Sequence, residues 1–227
     1  MKHSKRVVVL IDTSGSVYPF RDVLVKSTNA ALQSLYKLLN PSHEEVVVVD
    51  IFTFNQTLTQ IVYGRALGYF APRISLDDVV CGDGTALYDS IGTILSLHEK
   101  TPWDVLMVVT DGCDTFSEKY TQEQIRDLIN SYHSKPPSER NIRFLYVSIG
   151  VDAQQQGDKM GFYQNESIAF NHMDEIAKPE SSQKLAFCLS QALTHDDVEE
   201  EEAERPQKQF KHQEGDDEEE IEASQYF

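Results

Sequence analysis

Four stretches of this chain run through aliphatic and β-branched residues without alternation: RVVVLID (6–12), EVVVVDIFTFN (45–55), DVLMVVTDG (104–112) and IRFLYVSIG (142–150). A strand wetted on one face alternates apolar with polar, whereas one covered on both faces does not, so these runs predict core strands flanked by helices. Helical periodicity fills the intervals. From about Phe20 to Leu39, the residues Val23, Leu24, Ala31, Leu35, Leu38 and Leu39 recur at steps of three and four, with Pro19 opening the helix in its first turn and NPS closing it. TALYDSIGTILSLH and TQEQIRDLINSYHS read as two more helices, and TLTQIVYGR, reached through a short Asn-Gln connection, as an antiparallel edge strand. DAQQQGDKMGF, SIAFNHM and SQKLAFCLSQAL add a short helix, a short strand and a last helix. The rhythm predicts an α/β fold: a doubly wound, mostly parallel sheet with one antiparallel edge strand. Ligands of such sheets bind at the carboxyl ends of the strands, where Asp12 and Asp111 fall.

Charge divides the chain. Of the formal net charge of -17, residues 196–227 carry 14 Asp and Glu against 3 Lys and Arg, a net of -11, which leaves -6 for residues 1–195. The expected organisation is therefore a folded domain over 1–195 and an acidic, disordered tail over 196–227, whose like charges and few aliphatics cannot build a core. No cluster of Lys or Arg beyond MKHSKR suits a phosphate backbone, so nucleic acid is not an expected partner. Five apolar residues before Asp12 are too few for a secretory leader, and no run of roughly 20 apolar residues suggests a membrane span. Cys81, Cys113 and Cys188 form neither a disulfide framework nor a zinc knuckle. The expectation is a soluble, intracellular, cytoplasmic protein with no membrane partner.

Three segments converge on one rim of the predicted sheet: DTSGS after the first strand, GDGTAL before a helix and VVTDG after a later strand. They supply Asp12, Ser14, Ser16, Thr85 and Asp111, an all-oxygen set rich in neutral hydroxyls, which suits a hard cation, Mg²⁺ or Mn²⁺, rather than zinc. In a loop leaving a strand, Asp12, Ser14 and Ser16 at alternate positions can face one ion while Gly15 permits a tight turn. Asp83 reads as part of a glycine-rich turn, and Asp114 with Thr115 as a turn and helix cap.

These three segments, with GTALYDSIG and VVTDGCDT, resemble the metal-ion-dependent adhesion site (MIDAS) of von Willebrand factor type A (VWA) domains, in particular the intracellular branch of that family. The resemblance covers roughly residues 5–194. It implies the Rossmann-like VWA fold and a complete MIDAS. It further implies that Ser14, Ser16 and Thr85 coordinate the ion directly or nearly so, that Asp12 and Asp111 act largely through bound water, and that one position stays open for an acidic group of a partner. The implied function is a metal-dependent protein-binding module or adaptor, not an enzyme, working beside an AAA+ ATPase or within a multi-protein assembly and capturing an Asp or Glu side chain.

Two other readings compete. A phosphohydrolase of the haloacid-dehalogenase type also begins with an apolar strand ending in Asp, but its second acid two residues later is here Ser14, and no convincing downstream lysine appears. An adaptor of the same fold with an unused metal site is the other. Cys81 and Cys113 each lie within a few residues of a predicted ligand, and the expectation is that both stay reduced.

Overall fold

A computed structural model describes residues 4–39, 46–68, 71–98, 100–136 and 142–194. The predicted tail, with the SQYF that closes the sequence, lies outside the described residues. In chain order the elements are β1 (Ser4–Asp12), α1 (Arg21–Leu39), β2 (Val46–Phe54), β3 (Leu58–Ala66), α2 (Leu87–His98), β4 (Val105–Thr110), α3 (Gln122–His133), β5 (Arg143–Ile149), α4 (Val151–Met160), β6 (Ser167–Phe170), α5 (Met173–Ile176) and α6 (Pro179–Thr194). The sheet order is β3-β2-β1-β4-β5-β6. Every pairing is parallel except β2 with β3, so the expected doubly wound sheet with one antiparallel edge strand is the observed one.

The unbroken aliphatic runs serve two cores at once. Val7, Val9 and Ile11 of β1 join Leu24, Leu32 and Leu35 of α1 and Leu185 and Leu189 of α6 on one face. Val8 and Leu10 join Leu87, Ile91 and Ile94 of α2 and Ile125 and Ile129 of α3 on the other. Each such side chain, taken fully out of water, contributes roughly 1.5–3 kcal/mol before the entropy of ordering it, which is why no position of β1 between Val7 and Ile11 is left polar. β3, by contrast, is exposed or half-exposed along its length and carries Thr59, Gln60 and Arg65, as an edge strand should.

Two details differ from the sequence reading. Pro19 does not open α1: residues Gly15–Phe20 form a 3₁₀ turn that contains Pro19, and α1 begins at Arg21. The Val17 amide donates to the Ser14 carbonyl at 3.1 Å and the Val17 side chain is buried, so the chain is committed to the tighter turn before the α-helix starts. The helix expected from Thr85 starts at Leu87, because the Ala86 amide is drawn instead to the Asn55 carbonyl at 2.7 Å.

Connections reverse direction between β1 and β4, which pair side by side with Ile11 opposite Val109. This is the topological switch point of the sheet, and the crevice outside the carboxyl ends of these two strands is where the fold leaves room for a ligand.

Candidate metal centre

Asp12 is the last residue of β1 and is 1% exposed. Its Oδ1 accepts the Ser14 amide at 2.7 Å, the local turn that an Asp two residues ahead of a serine favours. Its Oδ2 accepts the Thr110 hydroxyl at 2.6 Å from the end of the neighbouring strand. The Ser14 and Ser16 hydroxyls lie 3.1 Å apart, and Ser16 Oγ donates to Asp111 Oδ1 at 3.0 Å. Asp12, Ser14, Ser16 and Asp111 are thus one continuous hydrogen-bonded arc across the switch point. The turn at Gly15–Phe20 sets both serines on one side, as their spacing predicts.

Thr85 reaches the same edge by a different route. Gly82 forms a parallel bridge with Ser14 and donates its amide to the Thr13 carbonyl at 3.0 Å, and Asn55 Nδ2 donates to the Val80 carbonyl at 3.0 Å. A Cβ on Gly82 would stand 2.8 Å from the Asn55 side chain, so the close approach needs glycine. These bonds lay residues 80–86 across the ends of β1 and β2. Thr85 itself is 6% exposed and held through its backbone: its amide donates to Thr115 Oγ1 at 3.0 Å, and its carbonyl accepts the amides of Thr115 at 2.9 Å and Phe116 at 3.1 Å. Among the described residues no hydrogen bond joins the Thr85 hydroxyl to the other four.

Three residues outside the predicted set hold this rim. Thr110 links β4 to the Asp12 carboxylate. Asp114, read with Thr115 as a turn and helix cap, does both: its Oδ2 accepts the Ser117 amide at 3.2 Å in the turn that follows, and its Oδ1 accepts the Tyr88 amide of α2 at 3.1 Å, in the first turn where helix donors are free and negative charge is favoured. Asp89 takes the amides of Glu118 at 3.1 Å, Lys119 at 2.8 Å and Tyr120 at 2.8 Å, which ties the segment after Asp111 to the same helix. A run of Ser, Glu, Lys and Tyr gives no hint of that role; the only signal in the sequence is an acid in the first turn of a predicted helix. Asp83, read as part of a turn, is exposed.

The electrostatics are unbalanced. Burial pushes the Asp12 carboxyl up to about 6, against the pull of the Thr110 and Ser14 hydrogen bonds, with the neighbouring Asp111 charge adding to the rise. Burial raises Asp111 as well, opposed by the bond from Ser16. Every donor that meets these two carboxylates is a neutral hydroxyl or amide, and no ion pair to either is present among the described residues. Nor do the described residues contain a group of three or more His, Cys, Asp or Glu able to hold a metal. A cation here would have to rely on hydroxyls, and two carboxylates short of positive charge with two hydroxyls between them fit a hard divalent ion.

The three thiols are free; Cys113 Sγ lies 3.7 Å from the Asp152 carbonyl, while Cys81 feels the charges of Arg21 and Asp12. Burial raises both thiols, so neither is an activated nucleophile. A cavity of about 150 Å³ opens at the other end of β1, against α2, lined by Arg6, Asp50, Gln60, Tyr63 and Trp103 among others. Its charges are already spent on each other: Asp50 accepts from Arg6, from Gln60 at 3.2 Å and from the Gly64 amide at 2.8 Å. The rim around Asp12 is therefore the better candidate, since among the described residues no ion pair balances its carboxylates.

No protein-family profile matches the chain and no curated protein matches it in sequence. Solved structures do. A von Willebrand factor type A protein of Catenulispora acidiphila superposes with a TM-score of 0.56 at 15% identity, over 84% of this chain and 43% of that one. Proximal thread matrix protein 1 of the mussel byssus, in a form with a zinc-occupied MIDAS motif, gives 0.55 at 13% identity, over 85% and 48%. The ArnB paralog VWA2 of Sulfolobus acidocaldarius gives 0.51 at 16% identity, over 77% and 43%. The chain spans less than half the length of each of these proteins. Its fold is the von Willebrand factor type A fold.

Proposed function

We propose that the chain is a protein-binding module in which Asp12, Ser14, Ser16, Thr85 and Asp111 hold one Mg²⁺ or Mn²⁺ ion and an open coordination position takes an Asp or Glu side chain of a partner. The observation that carries this reading is the pair of carboxylates at the switch point, Asp12 buried and Asp111 half-buried, met only by neutral donors. The zinc in the MIDAS of the byssus protein supports a divalent ion at the corresponding edge of this fold. When bound, the ion supplies positive charge that hydroxyls do not cancel, so an incoming carboxylate is strongly attracted. The chain's own residues do the rest: Thr110 and the Ser14 amide fix the Asp12 carboxylate, and the Thr115 and Phe116 amides fix Thr85.

Binding rather than catalysis is favoured by where two of the three described imidazoles sit. His98 ends α2, at the opposite end of that helix from Thr85, with Nε2 3.1 Å from the Trp103 carbonyl; His133 ends α3 with Nε2 3.0 Å from Glu166. Neither is available as a general base at the rim. Following the family resemblance, the partner is a protein offering Asp or Glu, such as an AAA+ ATPase or a subunit of a multi-protein assembly, in the cytoplasm. No helix among the described residues is long and apolar enough to cross a membrane.

The test is thermal unfolding and calorimetric titration of the chain with Mg²⁺ and Mn²⁺. Ion at a hundred times its Kd should stabilise the fold by about 2.7 kcal/mol, and Asp111→Ala should abolish most of that gain. If neither ion raises the unfolding midpoint of the unsubstituted protein, the reading is wrong.

A further inference from the structure

The three loops that carry the site also carry large apolar side chains that the core does not claim. Tyr18, two residues after Ser16, is 58% exposed; Val80, two before the Gly82 that bridges Ser14, is 69% exposed; Phe116, whose amide bonds the Thr85 carbonyl, is 44% exposed. Each is held in place rather than trailing. The Arg21 guanidinium lies 5.2 Å from the centre of the Tyr18 ring, and its charge is also felt by Cys81, next to Val80. Asn55 Nδ2 fixes the Val80 carbonyl. A Cβ on Gly84 would stand 3.0 Å from the Phe116 side chain, so that ring packs against the backbone just before Thr85. Single exposed apolar residues are ordinary, but three in the three loops around one polar centre form a collar, and apolar collars around a charged spot mark protein-binding surfaces.

The charge of the same loops limits what can enter. Residues 12–22, 71–86 and 111–121 together contain eight acidic side chains (Asp12, Asp22, Asp77, Asp78, Asp83, Asp111, Asp114 and Glu118) against three basic ones (Arg21, Arg73 and Lys119), and Lys26 just beyond them pairs with Asp22 at 2.7 Å. Even with two positive charges from a bound ion the rim stays negative. One carboxylate placed on the ion is attracted, while each further one meets the surrounding acids and is repelled.

We propose that this rim selects a partner segment in which a single Asp or Glu is flanked on both sides by bulky apolar residues, the carboxylate going to the ion and the flanks to Tyr18, Val80 and Phe116. This rests on the metal-dependent reading above. It also makes polyacidic segments poor ligands.

The experiment uses the full chain, Mn²⁺, and three capped peptides: glutamate between two phenylalanines, glutamate between two serines, and three consecutive glutamates between glycines. Mn²⁺ affinity is measured first, by calorimetry, on the unsubstituted protein and on Val80→Ser and Tyr18→Ser. In Mn²⁺ the phenylalanine-flanked peptide should bind roughly tenfold tighter than the serine-flanked one, since burying part of two aromatic rings supplies that much. The triple-glutamate peptide should bind weakest of the three at low salt. Chelator should abolish binding, and both collar variants should lose the preference while keeping their Mn²⁺ affinity. Absence of Mn²⁺ binding by the unsubstituted protein overturns the metal reading and this proposal with it. Mn²⁺ binding with equal affinity for all three peptides, or a preference that survives chelator, overturns the proposal and leaves the metal site standing.

Discussion

Replacing Asp12 by Asn should make the metal-free protein more stable and the metal-binding protein useless. Asp12 is 1% exposed and its carboxyl rises from 3.8 to about 6. At 1.36 kcal/mol per pH unit, holding that carboxylate ionised in the fold costs about 3 kcal/mol near pH 7.5. Asn is its neutral isostere. Its amide oxygen can keep the Ser14 amide, and its NH₂ can face Thr110, whose hydroxyl has a second acceptor in the Gly112 carbonyl at 3.2 Å. Allowing for imperfect fit, Asp12→Asn in chelator at pH 7.5 should gain about 1–3 kcal/mol, or several degrees in unfolding midpoint for a domain of this size. The sign with pH comes from a folded-state value raised above the unfolded one. Ionisation then destabilises the fold, so the advantage of Asp12→Asn is full above about pH 6, shrinks as pH falls through 6, and is gone below about 4. Urea unfolding of both proteins in EDTA at several pH values measures the difference, with other titrating groups common to both. An Asp12→Asn protein no more stable than the parent at pH 7.5, or a difference that grows as pH falls, would refute the reasoning.

Two further expectations can be checked alongside. Thr110→Val removes the 2.6 Å bond to Asp12 Oδ2 at nearly constant volume; Mn²⁺ affinity should fall about tenfold or more by calorimetry, as for other groups that orient a ligand from behind, with the circular dichroism spectrum unchanged. Gly157→Ala, which helix propensity alone would make stabilising by about 1 kcal/mol, should instead destabilise by about 1–3 kcal/mol in urea. The new Cβ would lie 2.5 Å from Tyr146 Cε1, and that ring is 1% exposed with its hydroxyl bonded to the Ala153 carbonyl at 3.0 Å, so it has nowhere to go.

Legibility in the sequence divides by range. The strands are legible because a residue such as Val8 or Val9 must be apolar whichever face it meets, and that constraint is written locally. The Asp12, Ser14 and Ser16 spacing is legible for the same reason, since a turn of a few residues sets it. Thr110 is not, because its task is to reach a carboxylate 98 positions away across a strand pairing. Nor are Asp114 and Asp89: each binds amides 26 to 31 positions distant, and a lone acid in a loop or first turn looks the same whether it faces water or gathers three donors. Pro19 misleads for a subtler reason. Its fixed φ suits a 3₁₀ turn as well as the first turn of an α-helix, and burial of Val17, invisible locally, decides between them.

The three amides gathered by Asp89 bear on how fast anything can dock at this edge. A segment that must release three charge-assisted hydrogen bonds before it can swing is not a hinged flap. Its ordering entropy is already spent in the folded chain, so little is left to lose when a second molecule arrives. A partner docking at this rim as proposed would meet the 118–120 segment already ordered, so differences in affinity among related sequences should show in how slowly they leave.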